Sequence, residues 1–198
     1  TQRDVEKQSR KNAPVAVFDS GIGGISVLKE IKKLLPHENL LYFGDGKNAP
    51  YGEKDADTLR ALIFTHAAAL LPRAKALVLA CNTATAAAVI QVRQTYPDLI
   101  VIGIEPALKV AADRFPTGNI GVMATPVTLR EEKFAHQLER FPDAAVHLIP
   151  APGLVQLVEA GKVDGVSCTQ EFFKIVFPMI LPTVSTFLIA NVATIFTN

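Results

Sequence analysis

The chain has 198 residues, enough for one large domain or two small ones at roughly 100–200 residues per domain. Lysine and arginine total 20 against 19 aspartates and glutamates, a net charge of +1, so no global field recruits nucleic acid or an anionic membrane. Hydrophobic residues make up 49% and charged residues 20%, which excludes a disordered chain, and 2 cysteines in this length exclude a disulfide scaffold.

Residues 1–13 are polar, with Arg3, Lys7, Arg10 and Lys11 set against Asp4 and Glu6. They show no periodicity and read as a disordered lead-in. The apolar core and small-residue cleavage site of a secretory signal are absent from this stretch, so a reducing cytoplasm is the default expectation. From Pro14 short apolar runs alternate with amphipathic stretches. Val15 to Phe18 is a strand, followed by a glycine turn and a helix whose Ile25, Leu28, Ile31 and Leu35 have helical spacing. Leu40 to Phe43 is a second strand. A polar loop through Tyr51 leads to a long helix from about Asp57 to Leu71, stopped by Pro72. Ala76 to Ala80 is a third strand, Thr83 to Tyr96 a helix, Ile100 to Ile104 a fourth strand and Ala107 to Arg114 a helix. Asn119 to Met123 is a fifth strand, Thr128 to Arg140 a single helix, Ala145 to Ile149 a sixth strand and Leu154 to Ala160 a final short helix. Only Glu171 and Lys174 carry charge after Gly165, and none appears from Ile175 onward.

Strict strand–helix alternation with near-continuous apolar strands indicates an α/β fold built on a parallel sheet. Ligands of such folds sit beyond the carboxyl ends of the strands. That rule directs attention to Asp19-Ser20-Gly21, Gly44-Asp45, Cys81-Asn82-Thr83, Glu105-Pro106 and Ala124-Thr125.

The first of these continues as Asp19-Ser20-Gly21-Ile22-Gly23-Gly24 into a helix. Its glycines let the backbone turn sharply and bring N–H groups toward an anion, phosphate or carboxylate, or else they form a tight turn with no ligand. Ser26 stands where a dinucleotide fingerprint requires glycine. Cys81 lies where an apolar strand meets a helix; the helix N-terminus favours thiolate there, although a lone cysteine is often only a small buried hydrophobe. Asn82, Thr83 and Thr85 surround it with hydrogen-bonding groups. The loop from Gly44 to Gly52 is either a surface connection or, with Asn48, Tyr51 and Gly52, a flap over a small substrate. His37, His66, His136 and His147 lack metal-ligand spacing and read as surface or helix residues.

The segments VFDSGIGGISVLKEI, NAPYGEK, VLACNTATAA and VIGIEPALKVA, in this order, resemble the glutamate racemases of the aspartate/glutamate racemase superfamily. GNIGVMATPVTLREEKFAHQL resembles the start of that family's second domain. The resemblance covers about residues 14–165. It implies a two-domain parallel-sheet racemase fold, with the first domain at 14–104, a partial second domain at 105–165 and an apolar tail at 166–198 that shows no family likeness. It also implies interconversion of L- and D-glutamate for peptidoglycan synthesis, using one cysteine from each side of a cleft and neither cofactor nor metal. Cys81 takes the role of one acid/base, with Asp19 beside it, and Ser20, Tyr51, Gly52, Asn82 and Thr83 hold the substrate. Glutamate is the implied partner, with aspartate as an alternative substrate and a homodimer as the implied assembly; nucleic acid and membrane are not expected.

The family's second cysteine lies in a glycine-cysteine-threonine-histidine setting at a strand end, well over a hundred residues after the first. Here Cys168 follows Cys81 by 87 residues, with Ser167 in the glycine's place and Gln170 in the histidine's. Cys168 is either a displaced equivalent or an incidental cysteine, and its setting favours the latter. Glu159 falls where the family has an acid supporting that second cysteine. Thr125 either reaches the cleft or caps a helix. The prolines at 178 and 182, with Ser185, Thr186 and Asn191, argue against a membrane span in the charge-free end. That end reads as a truncated or frame-shifted terminus. The alternative to an enzyme is a catalytically incompetent module that binds glutamate or a protein.

Overall fold

The computed structural model describes residues 11–104, 107–176 and 178. Its first sheet contains β1 (Val15–Asp19), β2 (Leu40–Gly44), β3 (Ala76–Leu79) and β4 (Ile100–Gly103), all parallel, in the order β2-β1-β3-β4. The register aligns Asp19 with Gly44 and Phe18 with Leu79, so the carboxyl ends of the central strands finish together. The chain runs outward from β1 to β2 and then crosses back to β3. The strand order therefore reverses between β1 and β3, the crevice that α/β sheets use for ligands.

All residues of β1 and β3 are buried, because helices cover both faces. The period of two sorts them. Ala16, Phe18, Leu77 and Leu79 face a core with α2 (Ala56–Leu70) and α3 (Asn82–Thr95), through Leu59, Ile63, Ala84, Ala88 and Val89. Val15, Val17, Ala76 and Val78 face Val27, Leu28 and Ile31 of α1 (Ile25–Leu34). Asp55 starts α2 by accepting the Thr58 N–H at 2.8 Å, and Pro72 lies in the 3-10 turn that ends it. Alanines on the buried side of α3 let that helix lie close to both sheet and α2.

A second, two-stranded parallel sheet pairs β5 (Asn119–Ala124) with β6 (Ala145–Pro150). Ile120 and Val122 pack with Leu108 and Ala112 of α4 (Leu108–Arg114) and with Phe134. The expected single helix over 128–140 is instead two: α5 (Pro126–Arg130) and α6 (Glu132–Leu138), broken at Glu131, whose ψ is 141°. The packing explains the break. Val127 belongs to the first sheet's core and Phe134 to the second's. Residues seven apart on one straight helix share a face, so one rod cannot serve both cores. α7 (Leu154–Val163) outlasts its expected end by three residues, and α8 (Cys168–Glu171) follows, running into a π-helical turn at Phe172–Val176.

Lys11 and Asn12, at the end of the expected lead-in, have helical backbone, and the Lys11 carbonyl accepts from Lys75 Nζ at 2.9 Å. The rest of the lead-in and most of the charge-free end lie outside the described residues. No helix among the described residues is long and apolar enough to cross a membrane.

Candidate active site

The carboxyl end of β1 is organised by Asp19, only 5% exposed. Its Oδ2 accepts the N–H groups of Gly21 at 3.2 Å and Gly24 at 2.9 Å, and the Tyr42 hydroxyl at 3.4 Å. The loop thus wraps around its own carboxylate. A Cβ on Gly24 would stand 2.7 Å from Asp19 Cβ and 3.0 Å from Ala80 Cβ, so only glycine lets the turn seat between the two strand ends. The Ile22 N–H donates to Glu159 Oε1 of α7 at 3.1 Å. Three amides of the loop are therefore occupied by the protein's own carboxylates, as the tight-turn reading of this loop has it.

At the end of β3, Cys81 caps α3: its Sγ accepts the Ala84 N–H at 3.4 Å and lies 3.3 Å from Ser20 Oγ. Asn82 is exposed as the first residue of the helix, and Thr83 is buried beneath it. Thr83 Oγ1 is 3.0 Å from Thr125 Oγ1 and 3.3 Å from Thr128 Oγ1, with Thr125 and Thr128 joined at 2.9 Å. This hydroxyl cluster stitches the start of α3 to the end of β5. Thr125 is both the cap of α5 and a wall of the cleft.

Burial pushes the Cys81 thiol above its ordinary value; the Ser20 hydroxyl and Ala84 N–H act in the opposite sense, and the Asp19 charge adds to the rise. Desolvation thus opposes the helix N-terminus, which by itself favours the thiolate. Alkylation by iodoacetamide, which needs thiolate, is therefore expected to be slower at Cys81 than at a free cysteine near neutral pH. Its rate should still be climbing above pH of about 8.5, where a free cysteine is half ionised. Peptide mass spectrometry across a pH series checks this, and a midpoint below that value contradicts it.

Asp19, Ser20, Tyr51, Gly52, Cys81, Asn82 and Thr83 all line one cleft of about 840 Å³ between the two sheets, faced by the end of β5 and by residues 151–159. The rim carrying Tyr51 and Gly52 fits closely. A Cβ on Gly52 would stand 2.6 Å from Thr125 Cγ2, and Gln156 Nε2 donates to the neighbouring Glu53 at 2.6 Å. The Tyr51 hydroxyl donates to Asp45 Oδ2 at 2.7 Å, so it is engaged within the protein. His66, expected as a surface or helix residue, lies in α2 with its Nε2 2.9 Å from Asp45 Oδ2. Asp45 was one strand-end residue among several, and nothing in the spacing of residues 45 and 66 shows that they meet. Among the described residues no cluster of His, Cys, Asp and Glu is arranged to hold a metal ion. Cys168 begins α8, and its neighbour Ser167 bonds through both N–H and hydroxyl to Gln170 Oε1 at 3.0 Å.

No protein-family model matches the chain. It is 53% identical over 159 residues to a glutamate racemase of Clostridium acetobutylicum, a match that covers 79% of this chain and 62% of that protein. Among solved structures, a glutamate racemase from Thermus thermophilus in complex with β-chloro-D-alanine superposes with a TM-score of 0.64 at 37% identity, covering 77% of this chain and 57% of that one. The Escherichia coli glutamate racemase, in complex with L-glutamate and the activator UDP-MurNAc-Ala, gives a TM-score of 0.72 at 30% identity, covering 86% and 64%. The chain spans about three-fifths of the length of the curated relatives it matches.

Proposed function

We propose that this chain, a relative of the glutamate racemases over most of its length, binds glutamate in the cleft between its two sheets and moves the α-proton with the Cys81 thiol. Completed by an acid on the opposite face, the same chemistry would supply D-glutamate for peptidoglycan in a bacterial cytoplasm. It assigns residues 14–104 to a first domain and 105–165 to part of a second. The observation that carries it is the meeting of a buried thiol with Ser20 and the start of α3 at the point where the sheet's strand order reverses.

The chemistry follows from the environment. An amino-acid α-proton is a very weak acid, so a thiolate removes it only where preorganised donors stabilise the charge that develops. Burial favours the protonated form of the Cys81 thiol. A substrate ammonium arriving beside Asp19 and Cys81 favours the thiolate, the thiol proton leaving to solvent as the substrate enters, because a nearby cation offsets the cost of burying the anion. The hydroxyl of Ser20, the Asn82 amide and the backbone at Tyr51 and Gly52 then hold the carboxylates. The planar carbanion that results needs an acid on its other face to complete inversion.

The setting of Cys168 favours a second reading, in which the chain binds glutamate and exchanges its proton on one face only. Incubation of each glutamate enantiomer in D2O, followed by proton NMR of the α-position, tests the proposal. Loss of the α-proton signal supports thiol chemistry. No exchange from either enantiomer, with binding detected by calorimetry, supports a binding module; no binding at all removes the proposal.

A further inference from the structure

Asp45 follows β2 and is 4% exposed. Its N–H donates to the Asp19 carbonyl at 2.9 Å, fixing it to the end of β1. Its carboxylate receives the Tyr51 hydroxyl at 2.7 Å, Asn48 Nδ2 at 3.0 Å to each oxygen, and His66 Nε2 at 2.9 Å. His66 comes from α2, where its ring packs on Phe18 and Phe43 with centroids 5.7 and 4.9 Å apart. Groups from a strand end, a loop and a helix converge on one carboxylate directly behind the cleft, and the proton transfer assigned to Cys81 uses none of them.

Burying a carboxylate is costly, and an apolar replacement of similar shape is often neutral or stabilising. What this carboxylate supplies is geometry. Burial alone would raise the pKa of Asp45, but the hydrogen bonds from Tyr51, Asn48 and His66 hold it below the usual carboxylate value, so an anion is present to fix all three donors. The Tyr51 ring also rests against Phe18, with centroids 6.2 Å apart. Both ends of this side chain are thereby set, and with them the backbone of Tyr51 and Gly52 at the rim, where a Cβ on Gly52 would collide with Thr125.

We propose that Asp45 is a positioning residue that acts through Tyr51, holding the 51–52 backbone at the distance from Cys81 that a substrate carboxylate requires. The proposal rests on the glutamate-binding reading for its catalytic consequence, but not for its structural one. The 51–52 backbone would hold the carboxylate equally in ground and transition state, so loosening it removes uniform binding: Asp45→Asn is expected to raise KM for α-proton exchange by about tenfold or more while kcat changes by less than about threefold. Tyr51→Phe, which removes only the hydroxyl, should shift KM in the same direction. The double variant should be no worse than the more severely affected single variant, since both cut one link.

Hydrogen exchange of the Tyr51 and Gly52 amides gives a readout independent of glutamate. It should accelerate in both variants while the α3 amides stay protected. If Asp45→Asn does not fold, Tyr51→Phe decides. If the wild-type chain neither binds nor exchanges glutamate, the functional reading falls and amide exchange alone judges the positioning claim. Unchanged amide protection in a folded variant, or a fall in kcat with KM unchanged, overturns the proposal.

Discussion

Replacing Cys81 by alanine is expected to reduce α-proton exchange from glutamate by about 100- to 10,000-fold, the usual contribution of a positioned general acid or base, while leaving glutamate binding within about threefold. The substitution is well tolerated by its surroundings. Cys81 is buried among small groups, and its loss removes a weak cap, the 3.4 Å bond from Ala84 N–H, rather than a large side chain. Cys81→Ser separates the thiol from its space: an alcohol occupies the site and can still meet Ser20, but its far higher pKa leaves it unable to act as base at neutral pH. Calorimetry for binding and NMR for exchange report the two effects separately. A Cys81→Ser variant that retains wild-type exchange would remove the thiol from the mechanism.

The second large effect is expected at Asp19. Removing its carboxylate leaves the N–H groups of Gly21 and Gly24 without their acceptor. Each unsatisfied buried donor costs about 1–3 kcal/mol, so with two of them Asp19→Ala should lower unfolding stability by about 2–6 kcal/mol, read from a urea titration. The same change should abolish exchange, because the turn that brings Ser20 to Cys81 is folded around that carboxylate. Tyr42 provides a spectroscopic check. Its burial, with the Asp19 charge and hydrogen bond adding to it, pushes its hydroxyl above the ordinary tyrosine value. Asp19→Asn removes the charge, so the absorbance change of Tyr42 on alkaline titration, isolated by Tyr51→Phe and Tyr96→Phe in both chains, should move to lower pH. A titration identical to wild type would show that Asp19 and Tyr42 are not coupled.

Much of the fold is written in local pattern. The apolar runs of β1 and β3 stand out because both faces are covered, and Pro72 and Asp55 punctuate α2 by backbone chemistry that needs no partner. The residues at the strand ends follow from the same alternation, and this is why Ser20 and Cys81 are recognisable before their contact is seen. Other features depend on distant packing. The break at Glu131 exists because Val127 and Phe134 serve different cores, and no property of residues 128–140 alone requires it. The order β2-β1-β3-β4 depends on which strands pair. The direction of the Cys81 shift depends on how much water the folded chain excludes, an effect that opposes the helix start. Asp45 and His66 are 21 residues apart and meet only because α2 packs across Phe18 and Phe43.

The Cys81 mechanism requires an acid on each face of the planar intermediate to racemise, and only Cys81 stands in a setting that matches a family motif. The most direct measurement follows L- and D-glutamate separately in D2O, recording α-proton loss by NMR and chirality by polarimetry, for the wild-type chain and for Cys168→Ala. The expected result is exchange from one enantiomer, with retention of configuration and little racemisation, unchanged in Cys168→Ala. Full racemisation that survives the loss of Cys168 would contradict this account, because no second thiol would remain to return the proton.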